Sequence, residues 1–393
     1  MKKHLITGFA LLALFQLKAQ QQPTDSTSTY KSTKLTLDEI NLVSSYYKQD
    51  GNHSAVEGGI GTQELTDLSN TLDVKLTKYG STGKKHSFGL EVGIDHYTSA
   101  SSDKIDPSTV SSASYGDNRF YPSLSYGWED EEKGKAITAG VSSSTEFDYQ
   151  SFGANIGYSK KTKNKNGEFS AKFQTYLDQI KLITPIELRT SGGYGTDNRN
   201  TYAFSLGYSQ IVNKSFQVMF MADVISQQGY LGLPFHRVYF TDGSVHQEKL
   251  PDSRLKIPIG VRASYFLGDN FIIRAYYRYY SDDWKLTAHT FDVEVPVKLS
   301  SFVSISPFYR FYSQQGAKYF KAYAQHSDSD EFYTSNYDLS TFDSNFIGAG
   351  IRLAPPKGVF GWSHFNMLEI RYGHYSRTDG LSSNIISLNI RYK

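Results

Sequence analysis

The chain has no cysteine among its 393 residues and almost no net charge, with 41 Lys and Arg against 39 Asp and Glu. Without cysteine there is no disulfide scaffold, no thiolate metal site and no lipid-modified N-terminal cysteine. A balanced charge removes the electrostatic basis for a nucleic-acid partner. Beyond the first twenty residues, no apolar run approaches the roughly 20 residues of a membrane-spanning helix. Aromatic rings are what the chain has in excess. Its 30 Tyr, 25 Phe and 3 Trp make up 15% of the residues, while charged residues make up only 20%. That balance is unusual for a soluble enzyme.

Lys2, Lys3 and His4 precede an apolar run from Leu5 to Leu17, which ends at Lys18-Ala19-Gln20. A basic start, a short apolar stretch and a small residue read as a secretory signal over 1–19, with cleavage after Ala19. Residues 20–38 are rich in Ser and Thr and read as a flexible periplasmic tail, leaving 39–393 as the folded domain. An exported chain with no membrane helix is periplasmic, secreted or an outer-membrane barrel.

Apolar residues then recur at every second position, the period of a strand with two unlike faces. Phe88, Leu90, Val92 and Ile94 alternate with Gly89, Glu91, Gly93 and Asp95. The longest row is Leu255, Ile257, Ile259, Val261, Ala263 and Tyr265, interleaved with Lys256, Pro258, Gly260 and Arg262. A soluble β-sandwich would also alternate. Three further features favour a membrane barrel. The segments mostly reach or exceed the roughly 9–11 residues of a tilted transmembrane strand. Aromatics gather near their ends, as at membrane interfaces. Short connections also alternate with long ones, the asymmetry of periplasmic turns and extracellular loops.

The pattern predicts sixteen strands: 40–48, 68–79, 84–97, 118–128, 135–146, 149–159, 168–179, 199–211, 215–227, 254–267, 271–282, 286–299, 301–314, 343–354, 364–376 and 383–393. Fourteen would remain if the tight connections before 149 and 286 joined neighbouring strands. The fold class is therefore all-β, a transmembrane antiparallel barrel. The last strand ends in Ile386, Leu388, Ile390 and Tyr392, which resembles the signal read by the barrel-insertion machinery, although Lys393 stands where an aromatic is commoner.

Several loop and rim segments read as fixed strings: DGNHSAVEGGIGTQELTD (50–67), IDHYTSASSDKID (94–106), GYLGLPFHRVYF (229–240), EKLPDSR (248–254), YRYYSDDWKLTAHT (277–290) and FYTSNYDLS (332–340). Together they make the chain resemble the outer-membrane barrel family of Bacteroidota known as domain of unknown function 3570, over nearly all of the mature chain. The resemblance implies a barrel in the cell outer membrane and brings no activity with it. It also implies company, since such genes sit beside those for a small lipoprotein, a thioredoxin-like protein and a flavin-transferring enzyme. A lipoprotein or an exported redox protein is thus a candidate partner, alongside outer-membrane lipids.

No enzyme chemistry stands out. GGIGT and GGYGT lack the Lys-Ser/Thr of a phosphate loop and read as turn glycines. No catalytic residue and no cofactor are expected, and His96, His236 and His289 are only weak metal candidates. On the polar parity, Glu91, Asp95, Glu146, Asp178 and Asp223 face the lumen from the N-terminal half. Arg262, Arg274, Arg278, Asp292, Glu294, Arg310, Arg352 and Arg371 do so from the C-terminal half. Such rows could hold a transverse field across a pore or knit the lumen with ion pairs. Tyr276, Tyr280, Phe308 and Tyr312 are expected to narrow the bore.

The loop 228–253 is too apolar to sit in water and reads as a lid folded into the mouth, with Tyr230, Pro234, Phe235, His236 and Arg237 at its centre. His236 and Arg237 are expected to pair there with Asp95, Glu146 or Asp282. The leading expectation is a channel or binding barrel for a polar solute, with a constricted, loop-capped lumen. The alternative is a non-conducting scaffold that docks a lipoprotein or redox partner.

Overall fold

The computed structural model describes residues 33–98, 116–189 and 194–393. The expected signal and most of the expected tail lie outside them. Nine strands come first: β1 (Thr36–Asp50), β2 (Leu65–Tyr79), β3 (Lys85–Thr98), β4 (Gly116–Asp130), β5 (Lys135–Thr145), β6 (Tyr149–Lys161), β7 (Gly167–Leu182), β8 (Gly195–Asn213) and β9 (Phe216–Gly229). A small hairpin follows, β10 (Arg237–Tyr239) with β11 (Val245–Gln247). The barrel resumes with β12 (Ser253–Leu267), β13 (Phe271–Asp282), β14 (Thr287–Glu294), β15 (Val297–Lys298), β16 (Val303–Gln315), β17 (Phe342–Leu353), β18 (Phe365–Arg377) and β19 (Ser382–Tyr392).

Every barrel strand is antiparallel to its neighbours, and β1 pairs with both β2 and β19, so the sheet closes on itself. β14 and β15 both lie between β13 and β16 and are two pieces of one strand, giving sixteen. The break falls at Pro296, which has no N–H to give the ladder. Each of the sixteen expected segments is a strand here. The tight connections at 146–148 and 283–286 are genuine turns, which rules out fourteen. The strands overrun their expected ends. β1 already pairs from Thr36 with Thr77, so strand begins inside the segment expected to be a flexible tail.

Parity sorts the two faces. Leu90, Ile94, Leu124, Val141, Ile156, Phe173, Ile259, Ile351 and Ile370 are large apolar side chains left exposed on the outside of the wall. Exposed apolar surface on this scale is the lipid-facing band of a transmembrane barrel. Among the described residues, the long connections 51–64, 230–252 and 316–341, together with 183–189, leave one end of the barrel, the extracellular one.

Candidate functional site

The long loops pack into a cap. Val238 is fully buried, Phe240 nearly so, and around them lie His326, Thr334, Ser335 and Val56 from two other loops. Phe240 bridges to His326 and Lys249 to Tyr333 by backbone pairing, and the Phe240, His246 and Tyr333 rings meet at 4.2 to 6.0 Å. The 51–64 loop enters on Gly58 and Gly59, both at positive φ. A β-carbon at Gly58 would stand 2.6 Å from the Tyr239 ring, and one at Gly59 would stand 2.7 Å from the Ser335 carbonyl oxygen. The GGIG string is therefore turn glycine that lets three loops close up. His53 stacks on Tyr337 at 3.7 Å beside it.

Arg237 fastens the cap. Its Nε and Nη2 donate to the two Glu187 carboxylate oxygens at 2.5 and 2.9 Å, and Nη1 donates to the Val56 carbonyl at 2.8 Å. Three loops meet on one guanidinium, the fork geometry for which arginine is suited. The expected partners Asp95, Glu146 and Asp282 are not used. Asp282 accepts from Arg254 instead, and Asp95 accepts from Ser69 and Tyr121. Lid residues too far from the wall to reach those acids find theirs in a neighbouring loop. Of the other expected lid residues, Pro234 accepts from Gln247 Nε2 at 2.6 Å and Tyr230 from the same nitrogen at 3.3 Å. Phe235 rests edge-on against His236.

The cap is seated on one side. Trp284, Leu286, Ala288 and Ala317 form a buried cluster that takes in Leu231 and Leu250 from one loop, Leu339 from another, and the inward-facing Tyr280 and Tyr312. Tyr280 and Tyr312 thus hold the cap. Tyr276 and Phe308, expected to project into the bore, lie against the wall, where Gly260 and Gly348 leave room: β-carbons there would stand 3.3 Å from Tyr276 Cε2 and 2.5 Å from Phe308 Cζ.

Two buried ionisable groups sit in the cap. Glu248 accepts from Leu233 N–H at 2.6 Å and from the Thr334 hydroxyl at 2.5 Å, and burial pushes its carboxyl up to about 7. His236 has no partner for Nδ1 among the described residues, and burial, with Arg237 beside it, pushes it down to about 3. Between about pH 4.5 and 6.5 the two oppose each other. Acidification favours the cap through Glu248, which takes its proton more readily when folded, and disfavours it through His236, which takes one less readily.

Below about 4.5 Glu248 is protonated in both states and adds no further slope. His236 keeps costing stability, and so does Asp330, which Lys321 holds down to about 2. The cap should therefore loosen as pH falls from about 4.5 to 3. The protection of the 237–247 amides, after allowing for the intrinsic slowing of exchange in acid, should fall over that window, and His236→Asn should lessen the fall. Equal protection at pH 6 and pH 3 would refute this account.

The lumen wall below is knitted by ion pairs. Around a cavity of about 220 Å³, Arg310 reaches Asp292 at 3.1 Å and Arg371 reaches Glu294 at 3.0 Å, and Arg274, outside its lining, shares Glu294 at 3.5 Å. Arg262 lies over the Tyr276 ring, Arg352 stands opposite Glu369 in register, and Asp223 opposite Ser205. Arg278 is paired with Gly260 and Thr290 and has a buried Nε with no partner among the described residues.

Arginine is not confined to the C-terminal half, contrary to expectation. Arg119 lies 3.6 Å from Glu146, and Arg199 lies 3.0 Å from Asp178. Both stand opposite acids expected to face inward, Arg119 opposite Asp95 and Arg199 opposite Asp178. Interleaved pairs of this kind leave no pair of facing rows of opposite charge.

Larger cavities lie along the other half of the wall. One of about 480 Å³ is lined by β3 to β9 and includes Glu91, Arg119, Asp178 and Arg199. Another of about 310 Å³ is lined by Tyr47, Asp67, Asp95, Tyr97 and Glu146 among others.

The three weak metal candidates do not converge. His96 and His289 lie on the outer face, hydrogen-bonded to Asn118 and Tyr277, while His236 is under the cap. Among the described residues, the group that could hold a cation is instead Asp117, Glu146 and Asp148, with ligand atoms within 4.8 Å of one another. Burial, together with the charges of Asp117 and Glu146, pushes Asp148 up to about 6. Among the described residues, one Ser–His contact occurs at the β10–β11 hairpin, Ser244 Oγ to His246 Nε2 at 2.9 Å. The nearby Asp242 accepts from Ser244 itself, so it does not orient the imidazole as a triad acid would.

Among solved structures, the chain is similar to a bacterial polysaccharide outer membrane secretin, with 8% identity, 90% of this chain and 98% of that one covered, and a TM-score of 0.45. It is similar to OccD3 (OpdP) of Pseudomonas aeruginosa at 8% identity, with 94% and 95% covered and a TM-score of 0.42. It is also similar to the siderophore receptor PirA of Acinetobacter baumannii at 10% identity, with 86% of this chain and 53% of that chain covered and a TM-score of 0.45. No curated protein matches the sequence. A family model does match, over residues 6–361, and the chain belongs to that family, described as a protein of unknown function (DUF3570).

Proposed function

We propose that this protein is an outer-membrane channel or binding barrel that admits a polar solute through a lumen narrowed by its own extracellular loops. The seating of the cap carries this reading. Its apolar cluster rests on Tyr280, Tyr312 and Trp284 at the β13–β16 wall, whereas the two larger cavities follow strands β1 to β9. A cap with a buried core is a fixed constriction, and one seated to one side leaves a polar path along the other. The ion-paired wall supports a polar cargo, because paired charges offer hydrogen bonds without a strong net field.

Deleting residues 232–247 tests the constriction. The chain on either side of the deletion lies close together, since a β-carbon on Gly232, the first residue removed, would stand 3.6 Å from the Glu248 carbonyl oxygen, so the barrel should still close. The deletion should raise single-channel conductance in planar bilayers and solute leakage in cells, with the amount of folded barrel unchanged. Unchanged permeability with an intact barrel would refute the lid.

A second reading, a scaffold docking a lipoprotein or redox partner, is favoured by one feature. The connection between β17 and β18 is long for a periplasmic turn and leaves Phe360 and Trp362 largely exposed, at 80% and 71%. Absence of ion current from the pure barrel, with a stoichiometric lipoprotein retained in mild detergent, would decide for the scaffold.

A further inference from the structure

Strand register builds a hydroxyl row across the cavity-lining half of the wall. Reading from strand to strand, Glu91 stands opposite Ser123, Ser123 opposite Ser142, Ser142 opposite Gly153, Gly153 opposite Tyr176, Tyr176 opposite Thr201, and Thr201 opposite Gln227. All but Gly153 line the cavity of about 480 Å³. Gly153 has a different part in it. A β-carbon there would meet Ser142 Oγ at 2.3 Å and Tyr176 Cε1 at 2.9 Å, so the bare backbone is where the Tyr176 ring lies down along the wall.

One step toward the extracellular end, a second row runs Ser144, Ser151, Asp178, Arg199. Its charges are already spent on each other. Asp178 accepts from Ser151 at 2.7 Å and from Arg199 at 3.0 Å, and Arg199 also donates to the Tyr149 hydroxyl at 3.1 Å. Arg119 is held by Ser144 at 2.9 Å and faces Glu146.

The cavity therefore presents two arginines already paired, Arg199 with Asp178 in the same lining and Arg119 with Glu146 beside it, with hydroxyls and an amide filling the rest. Glu91 makes no hydrogen bond or ion pair among the described residues, which leaves both its oxygens able to accept. A cationic or anionic solute would find no uncompensated partner field here beyond that single carboxylate. A neutral molecule with many hydroxyl groups would find donors and acceptors at strand spacing, a carboxylate for a pair of adjacent hydroxyls, and a tyrosine ring for its C–H face. We infer that this row is a binding site for a neutral polyhydroxylated solute of monosaccharide or disaccharide size, the carbohydrate class. The inference rests on the proposed channel and names its cargo.

Purified full-length barrel in liposomes tests it, by swelling in isosmotic glucose, gluconate and glucosamine at neutral pH, and by block of the ion current with glucose. Glucose should enter several-fold faster than either charged analogue and should reduce the current in a saturable way. The triple variant Ser142→Ala, Thr201→Val, Gln227→Leu removes hydrogen-bonding groups while leaving the paired charges in place. It should keep the ion current and lose both the glucose preference and the block.

Gluconate or glucosamine entering faster than glucose would overturn the assignment. So would entry ordered by size alone, or a triple variant that conducts and still prefers glucose. In each of those cases the ion current stands and the channel survives without this cargo. No ion current and no swelling from barrel shown folded by its heat-dependent gel mobility would instead overturn the channel reading, and this inference with it.

Discussion

Glu187→Ala should destabilise the cap by about 3–5 kcal/mol, more than Arg237→Met at about 1–3 kcal/mol, although the two residues form one ion pair. The asymmetry comes from burial. Arg237 has a side chain only 6% exposed, whereas that of Glu187 is 36% exposed. Removing the glutamate leaves a buried guanidinium whose remaining hydrogen bond among the described residues is to the Val56 carbonyl. Removing the arginine leaves a carboxylate that water can reach, and methionine fills much of the vacated space. Limited proteolysis of the loops at 183–189 and 230–252 should therefore be fastest for Glu187→Ala, intermediate for Arg237→Met and slowest for the parent. Channel conductance should rise in the same order. Equal effects of the two substitutions would mean that Arg237 escapes to water in the variant and does not depend on Glu187 for its burial.

Val261→Arg should cost the folded barrel about 2–4 kcal/mol, the range for arginine on the lipid face near the bilayer midplane. Val261 lies at the middle of β12, and its register neighbours Phe220 and Tyr277 are both exposed on the outer surface, at 56% and 41%. Gly260→Ser, one residue away on the lumen face, should be nearly silent. A β-carbon there would stand 3.2 Å from the Tyr277 carbonyl oxygen and 3.3 Å from the Tyr276 ring, so the carbonyl and the ring each need to give by only a few tenths of an ångström. Denaturant titration of both variants into lipid vesicles, read by heat-dependent gel mobility, measures the difference. Equal loss from both would contradict the assignment of faces.

How much of this could be read from the residues follows from how each signal is stored. The wall is local and periodic. Each strand repeats its apolar parity over ten or more residues, so errors at one position are corrected by the next. Even Arg119 and Arg199 fall on the inward parity of Tyr121 and Thr201. The cap has no such redundancy. That loop 228–253 must be buried was legible from Leu231, Phe235, Val238 and Phe240, because apolar surface has to go somewhere. Where His236 and Arg237 would find partners was not, since Glu187 lies 50 residues away in a loop whose composition marks nothing.

Composition and alternation were thus sufficient for an all-β transmembrane barrel of about sixteen strands, its two faces, its two ends and a loop whose apolar residues had to be buried. These depend on the period of the chain and the difference between lipid and water, and both act residue by residue. The closure of β1 on β19, the three-loop grip on Arg237 and the seat of the cap on Trp284 were decided only in three dimensions. So was the row from Glu91 to Gln227, which exists because the register of six strand pairs places one residue from each strand at the same height. Register is set by the turns and ladders of the whole sheet, and a shift of two residues in any one strand would preserve every face while dispersing that site.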